Sequence, residues 1–120
     1  MRDFEFSYDE ENDDLFLFRK DVKSKGSIEF GNLVLDFDNK KNLVGIQIME
    51  ATEFICEITG CDKKLARNIL VNLKKSQVEI KLHRNMIIFK IFLFSKFEEK
   101  MQIPITLPNI TSPSPALIYT

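Results

Sequence analysis

Apolar and polar residues alternate in short runs through the first fifty positions. Phe4 and Phe6 are spaced by charged or polar neighbours over Asp3–Tyr8, and Leu15–Arg19 is rich in Leu and Phe, the patterns of half-buried strands. The acidic run Asp9–Asp14 separates them as a turn. A third strand is expected at Ser27–Phe30, and a stronger pair at Leu33–Asp38 and Leu43–Met49 is joined by Asn39-Lys40-Lys41-Asn42, a hairpin with Asn available for a left-handed position. In the last of these, Val44, Ile46 and Ile48 fall on one face and Leu43, Gly45, Gln47 and Met49 on the other.

The period then changes. Phe54, Ile55 and Ile58 follow Thr52 at helical spacing, Gly60 is placed to end that helix in a left-handed cap, and Asp62 to cap the next. Over residues 62–75, Leu65, Ala66, Ile69, Leu70 and Leu73 cluster on one side of a helical wheel. Lys63, Lys64, Arg67, Lys74 and Lys75 fall on the other. From Gln77 the alternation returns, with Val78, Ile80 and Leu82 facing one way and Glu79, Lys81 and His83 the other, up to a turn at Arg84-Asn85. Met86–Phe97 is apolar on both faces, with Met86, Ile88, Phe92 and Phe94 on one and Ile87, Phe89, Ile91 and Leu93 on the other. A strand of that kind is central, covered on both sides, or part of an interface. Met101–Leu107 follows as an edge strand, because Pro104 has no amide to donate.

These segments predict one α+β domain over residues 1–108: an antiparallel meander, a central helical segment, and C-terminal antiparallel strands with the helix packed on the sheet. Residues 109–120, with Pro113 and Pro115, form a C-terminal arm that would anchor through Leu117, Ile118 and Tyr119 on the body or on a neighbouring subunit.

Charge adds an asymmetry. Net charge is −1, yet residues 1–60 hold 14 Asp/Glu against 7 Lys/Arg and residues 61–120 hold 4 against 10. The expectation is that the halves pack together and neutralise one another, and a net charge near zero argues against general attraction to nucleic acid. With 44% hydrophobic and 29% charged residues in 120, the chain has the balance of one folded domain and no membrane span. Met1–Glu5 lacks the apolar run of a secretory signal, and the expected compartment is the cytoplasm.

Two stretches carry a resemblance. Tyr8-Asp9-Glu10-Glu11-Asn12-Asp13-Asp14-Leu15-Phe16-Leu17, and Val34-Leu35-Asp36-Phe37-Asp38 leading into Leu43-Val44-Gly45-Ile46-Gln47-Ile48, resemble a widespread family of small uncharacterised prokaryotic β-rich proteins. That family is marked by a tyrosine-and-acid turn, an acidic hairpin and a Val-Gly-Ile strand. The resemblance covers about residues 4–55 and implies an antiparallel sheet followed by a helix. It supplies no activity and no catalytic residues, and residues 61–120 lie beyond it.

Candidate chemistry is thin. The Asp9–Asp14 turn lacks the glycine and terminal Glu of a calcium loop, and Asp36-x-Asp38-Asn39 runs into Lys40 and Lys41 with Gln47 where the bidentate Glu belongs. Two cysteines, Cys56 and Cys61, and one histidine, His83, make no closed zinc site, so no metal and no cofactor is expected. Cys56 would be a nucleophile only beside a cation or a helix N-terminus; a structural thiol is the default. Asp36 and Asp38 share a strand face, which allows an acid/base pair and places a hydrolase third among the readings.

The favoured reading is a non-catalytic, self-associating protein-interaction module. It is expected to form a homodimer through the Met86–Phe94 strand, with Ile87, Phe89, Ile91 and Leu93 as the contact residues and a second protein as a possible partner. Lys64, Arg67, Lys74 and Lys75 are the partner-binding candidates. The alternative is a nucleic-acid-binding accessory protein that uses the same basic face of helix 62–75, whose cations have no aromatics between them for base stacking.

Overall fold

The alternating segments form strands and the helical ones helices. In the computed structural model, which describes residues 1–108, the order is β1 (Arg2–Asp9), β2 (Asp14–Phe18), β3 (Gly26–Phe30), β4 (Leu33–Phe37), β5 (Leu43–Ile48), α1 (Ala51–Thr59), α2 (Lys63–Val71), β6 (Leu73–His83), β7 (Met86–Ser95) and β8 (Lys100–Pro108). The arm expected over 109–120 lies outside the described residues. All pairings are antiparallel, and the strands form one sheet in the order β3-β4-β5-β2-β1-β6-β7-β8, with the two helices inserted between β5 and β6. The fold class is α+β.

The sheet changes partner within β1. Arg2–Phe4 pair with β6, whereas Glu5–Asp9 pair with β2, so this strand joins an N-terminal half to a C-terminal half. At the junction the buried Ser76 hydroxyl donates to the Phe4 carbonyl at 2.7 Å, which leaves neither group unpaired in the core.

The inner faces of both halves and one stripe of each helix make a single core, reaching from Leu35 and Phe37 on β4 to Ile103 and Ile105 on β8. Helix α1 touches β8 and α2 touches β7. Gly60 ends α1 at φ 74°, and Asp62 caps α2 by accepting from the Lys64 amide, both as the sequence implies. In the 39–42 hairpin the left-handed residue is Lys41, at φ 65°, rather than an Asn. The Asp38 carboxylate, which accepts from the Lys40 and Asn42 amides, holds that turn. Leu43 joins the core because β5 slips register against Asp36/Phe37, placing Leu43 opposite Phe37.

Four expectations need correction. The helix over 62–75 ends at Val71, and β6 begins at Leu73, so Lys74 and Lys75 belong to a strand. The amphipathic wheel continued past its end because Leu73 is buried in either conformation. Leu65, 41% exposed, is outside the buried stripe of Ala66, Ile69 and Leu70. Ile80 and Leu82 lie on the inward side of β6, but the β6–β7 hairpin runs past the core and leaves Leu82 66% exposed. The fourth concerns β7: Ile87, Phe89, Ile91 and Leu93, expected as self-association residues, are each at most 1% exposed. They face the chain's own core, and the free face of β7 is the opposite one.

Candidate functional site

The resemblance motif resolves into a polar cluster at the start of α1. The β1–β2 turn puts Asp13 in a left-handed conformation, φ 56°, with its side chain against a helix end 39 positions later. Both Asp13 carboxylate oxygens accept from the Thr52 amide, at 3.0 and 3.2 Å, and Oδ1 also accepts from the Thr52 hydroxyl at 2.7 Å. The Asp13 carbonyl receives the Ala51 amide at 2.8 Å. Glu50, the residue at the helix's own capping position, makes no side-chain capping bond, so Asp13 does that work from a distance. The Tyr8 hydroxyl donates to Asp13 Oδ1 at 2.5 Å, and the Arg67 guanidinium lies 4.0 Å from the same oxygen while donating to the Glu10 carbonyl at 2.7 Å. Burial, together with the hydrogen bond to Asp13, pushes the Tyr8 phenol up to about 12. Every partner is engaged in holding turn to helix, which makes the cluster a structural joint.

A family described as a protein of unknown function, DUF2283, matches residues 5–51, the segment from β1 to the first residue of α1. An uncharacterised protein of Methanocaldococcus jannaschii is 31% identical to this chain over 87 residues, 72% of this chain and 69% of that protein. The chain belongs to the DUF2283 family. No solved structure matches it. The DUF2283 segment ends at Ala51, whose amide the Asp13 carbonyl receives, so the tyrosine-and-acid turn that marks the segment is also what closes it.

The other sequence candidates separate. Lys64 and Arg67 line a shallow depression on α2 with Asn68 and Val71, whereas Lys74 and Lys75 border a different one with Phe94 and Glu99. They do not form one basic stripe, because the chain turns from helix to strand between Asn72 and Leu73. Lys75 projects over the Phe94 ring, 5.8 Å from its centroid. The acid pair also divides: Asp36 accepts from the Ser27 hydroxyl on the sheet face, and Asp38 serves the turn, where bonds from the Asn42 amides hold its carboxyl below the usual range. In the acidic turn, Asp9 accepts from the Glu11 and Asn12 amides and the Asn12 side chain. Exposed His83 pairs with Met86 at the hairpin end. Cys56 and Cys61 are half-buried with their sulfurs 3.2 Å apart, and burial followed by the Cys61 contact pushes the Cys56 thiol up to about 11.

What the sequence pattern did not single out is the outward face of the sheet. Strand register puts Asp3, Glu5, Asp9, Asp14, Glu29 and Asp36 outward on the N-terminal half, around the edge-to-face pair Phe16 and Phe18, whose centroids are 5.2 Å apart. On the C-terminal half, Lys75, Lys81, Lys90 and Lys100 point outward around Ile88, Phe92 and Phe94, with one acid among them, Glu79 opposite Lys90. There a groove of about 400 Å³ is lined by Met1, Gln77, Phe92, Phe94, Lys100 and Gln102. Among the described residues one ion pair forms, Arg67 with Asp13, and it lies at the helices. The halves therefore stand side by side with their outward charges unpaired, contrary to the expectation of mutual neutralisation within the chain.

Proposed function

We propose that the protein is a non-catalytic interaction module that self-associates through the outward face of its sheet. The acidic half of one copy, with Phe16 and Phe18, faces the basic half of another, with Phe92 and Phe94. The observation that carries this reading is the pairing of features on that face: two aromatic patches with opposite charged surrounds and no ion pair between them. Apolar residues encircled by charge are the arrangement of a specific interface, with the rim setting orientation and the rings supplying the contact. Phe16 is 39% exposed and a protruding ring of this kind suits a groove of about 400 Å³. A twofold pair in which each copy offers both halves closes on itself, in line with the dimer the sequence led us to expect.

The reading that β7 contributes to assembly is retained, on its other face: Ile88, Phe92 and Phe94 replace the buried residues. A second protein partner would use the same surface. The nucleic-acid alternative has less to support it now that Lys64 and Arg67 are separated from Lys74 and Lys75. The family and the M. jannaschii relative carry no assigned function, so the proposal rests on surface chemistry. None of the described helices is long and apolar enough to cross a membrane.

Sedimentation equilibrium over a wide concentration range tests the proposal at low and high salt. A dimer that weakens as salt rises is expected, because the rim charges are screened over roughly 10 Å at 0.1 M salt. A single-chain species at every concentration and salt would overturn it, and retardation of a mixed oligonucleotide at physiological salt would favour the alternative.

A further inference from the structure

Helix α1 ends in a left-handed cap whose geometry brings two thiols together. Gly60, at φ 74°, donates its amide to the Cys56 carbonyl at 2.8 Å, which places Cys56 on the last turn and Cys61 just past the glycine. These are the two positions between which such caps commonly make an apolar contact. The turn is fixed further: the Thr59 hydroxyl donates to the Ile55 carbonyl at 2.8 Å and accepts from the Cys61 amide at 3.3 Å. The sulfurs are 3.2 Å apart and both residues are partly accessible. A disulfide needs them at about 2.05 Å, a further approach of about 1 Å that side-chain rotation can supply.

We infer that Cys56 and Cys61 form a dithiol modification site that reacts with a low-molecular-weight disulfide and closes to an intramolecular disulfide across the end of α1. The Cys61 thiolate attacks one sulfur of the small disulfide. A bond forms between Cys61 and that sulfur, the small molecule's own S–S bond breaks, and the first small thiolate leaves and takes up a proton. Cys56 then gives its proton to solvent and attacks Cys61 Sγ; the mixed disulfide breaks and the second small thiolate leaves and is protonated. Two protein thiols are oxidised and one small disulfide is reduced to two thiols. Cys56 resolves rather than attacks because it lies within α1, where burial holds its thiol protonated, whereas Cys61 lies outside the helix. The site is independent of the sheet surface.

The test uses oxidised glutathione on the reduced full chain, read by intact mass. Wild type is expected to lose two hydrogen masses without building up a glutathionyl adduct, and a digest of the product should show the peptides of Cys56 and Cys61 joined. C56S should hold a stable glutathionyl adduct on Cys61. C61S should react more slowly than C56S, because burial still holds the Cys56 thiol protonated when Cys61 is gone. Ring closure in wild type should be about tenfold or more faster in the folded protein than in denaturant, since the cap holds the sulfurs in place. A stable adduct on wild type comparable with that on C56S would overturn the inference, as would equal closure rates folded and unfolded or disulfides formed only between chains. The wild-type arms need no variant to fold.

Discussion

Replacing Asp13 with Ala removes a cap that acts across 39 positions, and its cost can be worked from the bonds it ends. The Thr52 amide loses its carboxylate acceptor, a capping loss of about 1 kcal/mol. The Thr52 and Tyr8 hydroxyls, at 2.7 and 2.5 Å, each lose a partner at about 1 kcal/mol, and Thr52 is only 8% exposed, so water replaces little. Alanine in the left-handed conformation that Asp13 adopts at φ 56° adds about 1 kcal/mol more. The total is about 3–4 kcal/mol, which lowers the melting temperature by roughly 4 °C per kcal/mol for a chain of this size. Asp13→Asn tolerates the left-handed backbone and keeps one acceptor oxygen, and should cost about half as much. Urea and thermal melts followed by far-ultraviolet circular dichroism, at one protein concentration so that assembly does not shift the baseline, measure both. A loss within about 0.5 kcal/mol for Asp13→Ala would class it with ordinary surface substitutions and refute the capping account. Equal losses for Ala and Asn would refute the division between hydrogen bonds and backbone strain.

Tyr8 gives a pH signature: its phenol titrates near 10.0 in the unfolded chain and at about 12 in the folded one, so its contribution is complete below pH 10 and is lost as pH climbs toward 12. Tyr8→Phe should flatten that alkaline fall in stability, and an unchanged slope would exclude Tyr8 as its source. Phe89→Ala should cost about 4 kcal/mol because it empties a fully buried site, whereas Phe92→Ala on the outward face should cost under about 1 kcal/mol; comparable urea midpoints would reverse the two faces of β7. Gly45→Ala places a methyl 2.8 Å from Asp36 Oδ2 and should destabilise by about 1 kcal/mol, with Asp36→Ser relieving it; additive effects in the double variant would contradict that contact.

Much of the fold is legible in local pattern. Phe4 and Phe6, or Val78 and Ile80, show a strand by alternation; Gly60 and Asp62 show where one helix ends and the next begins; Pro104 shows the sheet edge. Local pattern is silent on which face is inward when both are apolar. On β7, Ile87/Phe89/Ile91/Leu93 and Ile88/Phe92/Phe94 are equivalent as residues, and only the placement of β6, β8 and the helices assigns the first set to the core. Lys74 and Lys75 misled for a related reason, since Leu73 suits either a helix stripe or the first inward position of a strand. The capping of Thr52 by Asp13 joins residues too far apart for periodicity to relate. The gathering of acids around Phe16 and lysines around Phe92 depends on strand order. The proximity of Cys56 and Cys61, by contrast, follows from a five-residue step across a glycine cap and could have been drawn from the sequence.

The central claim, that unlike halves of the sheet face meet between copies, is tested most directly by mixing two charge-reversed proteins. One carries Glu5→Lys and Glu29→Lys, the other Lys90→Glu and Lys100→Glu; the first pair lies outward on the acidic half and the second on the basic half. Each exposed charge pair contributes up to about 1 kcal/mol, so each variant alone should self-associate about tenfold or more weakly than wild type. Mixed in equal amounts, monitored by sedimentation with one partner fluorescently labelled, they should form a heterodimer, since the two reversed halves then meet with opposite charge and the two unreversed halves meet as in wild type. Weakened self-association of both variants with recovery on mixing is the expected result. Variants that associate as wild type does, or that stay apart when mixed, would contradict it.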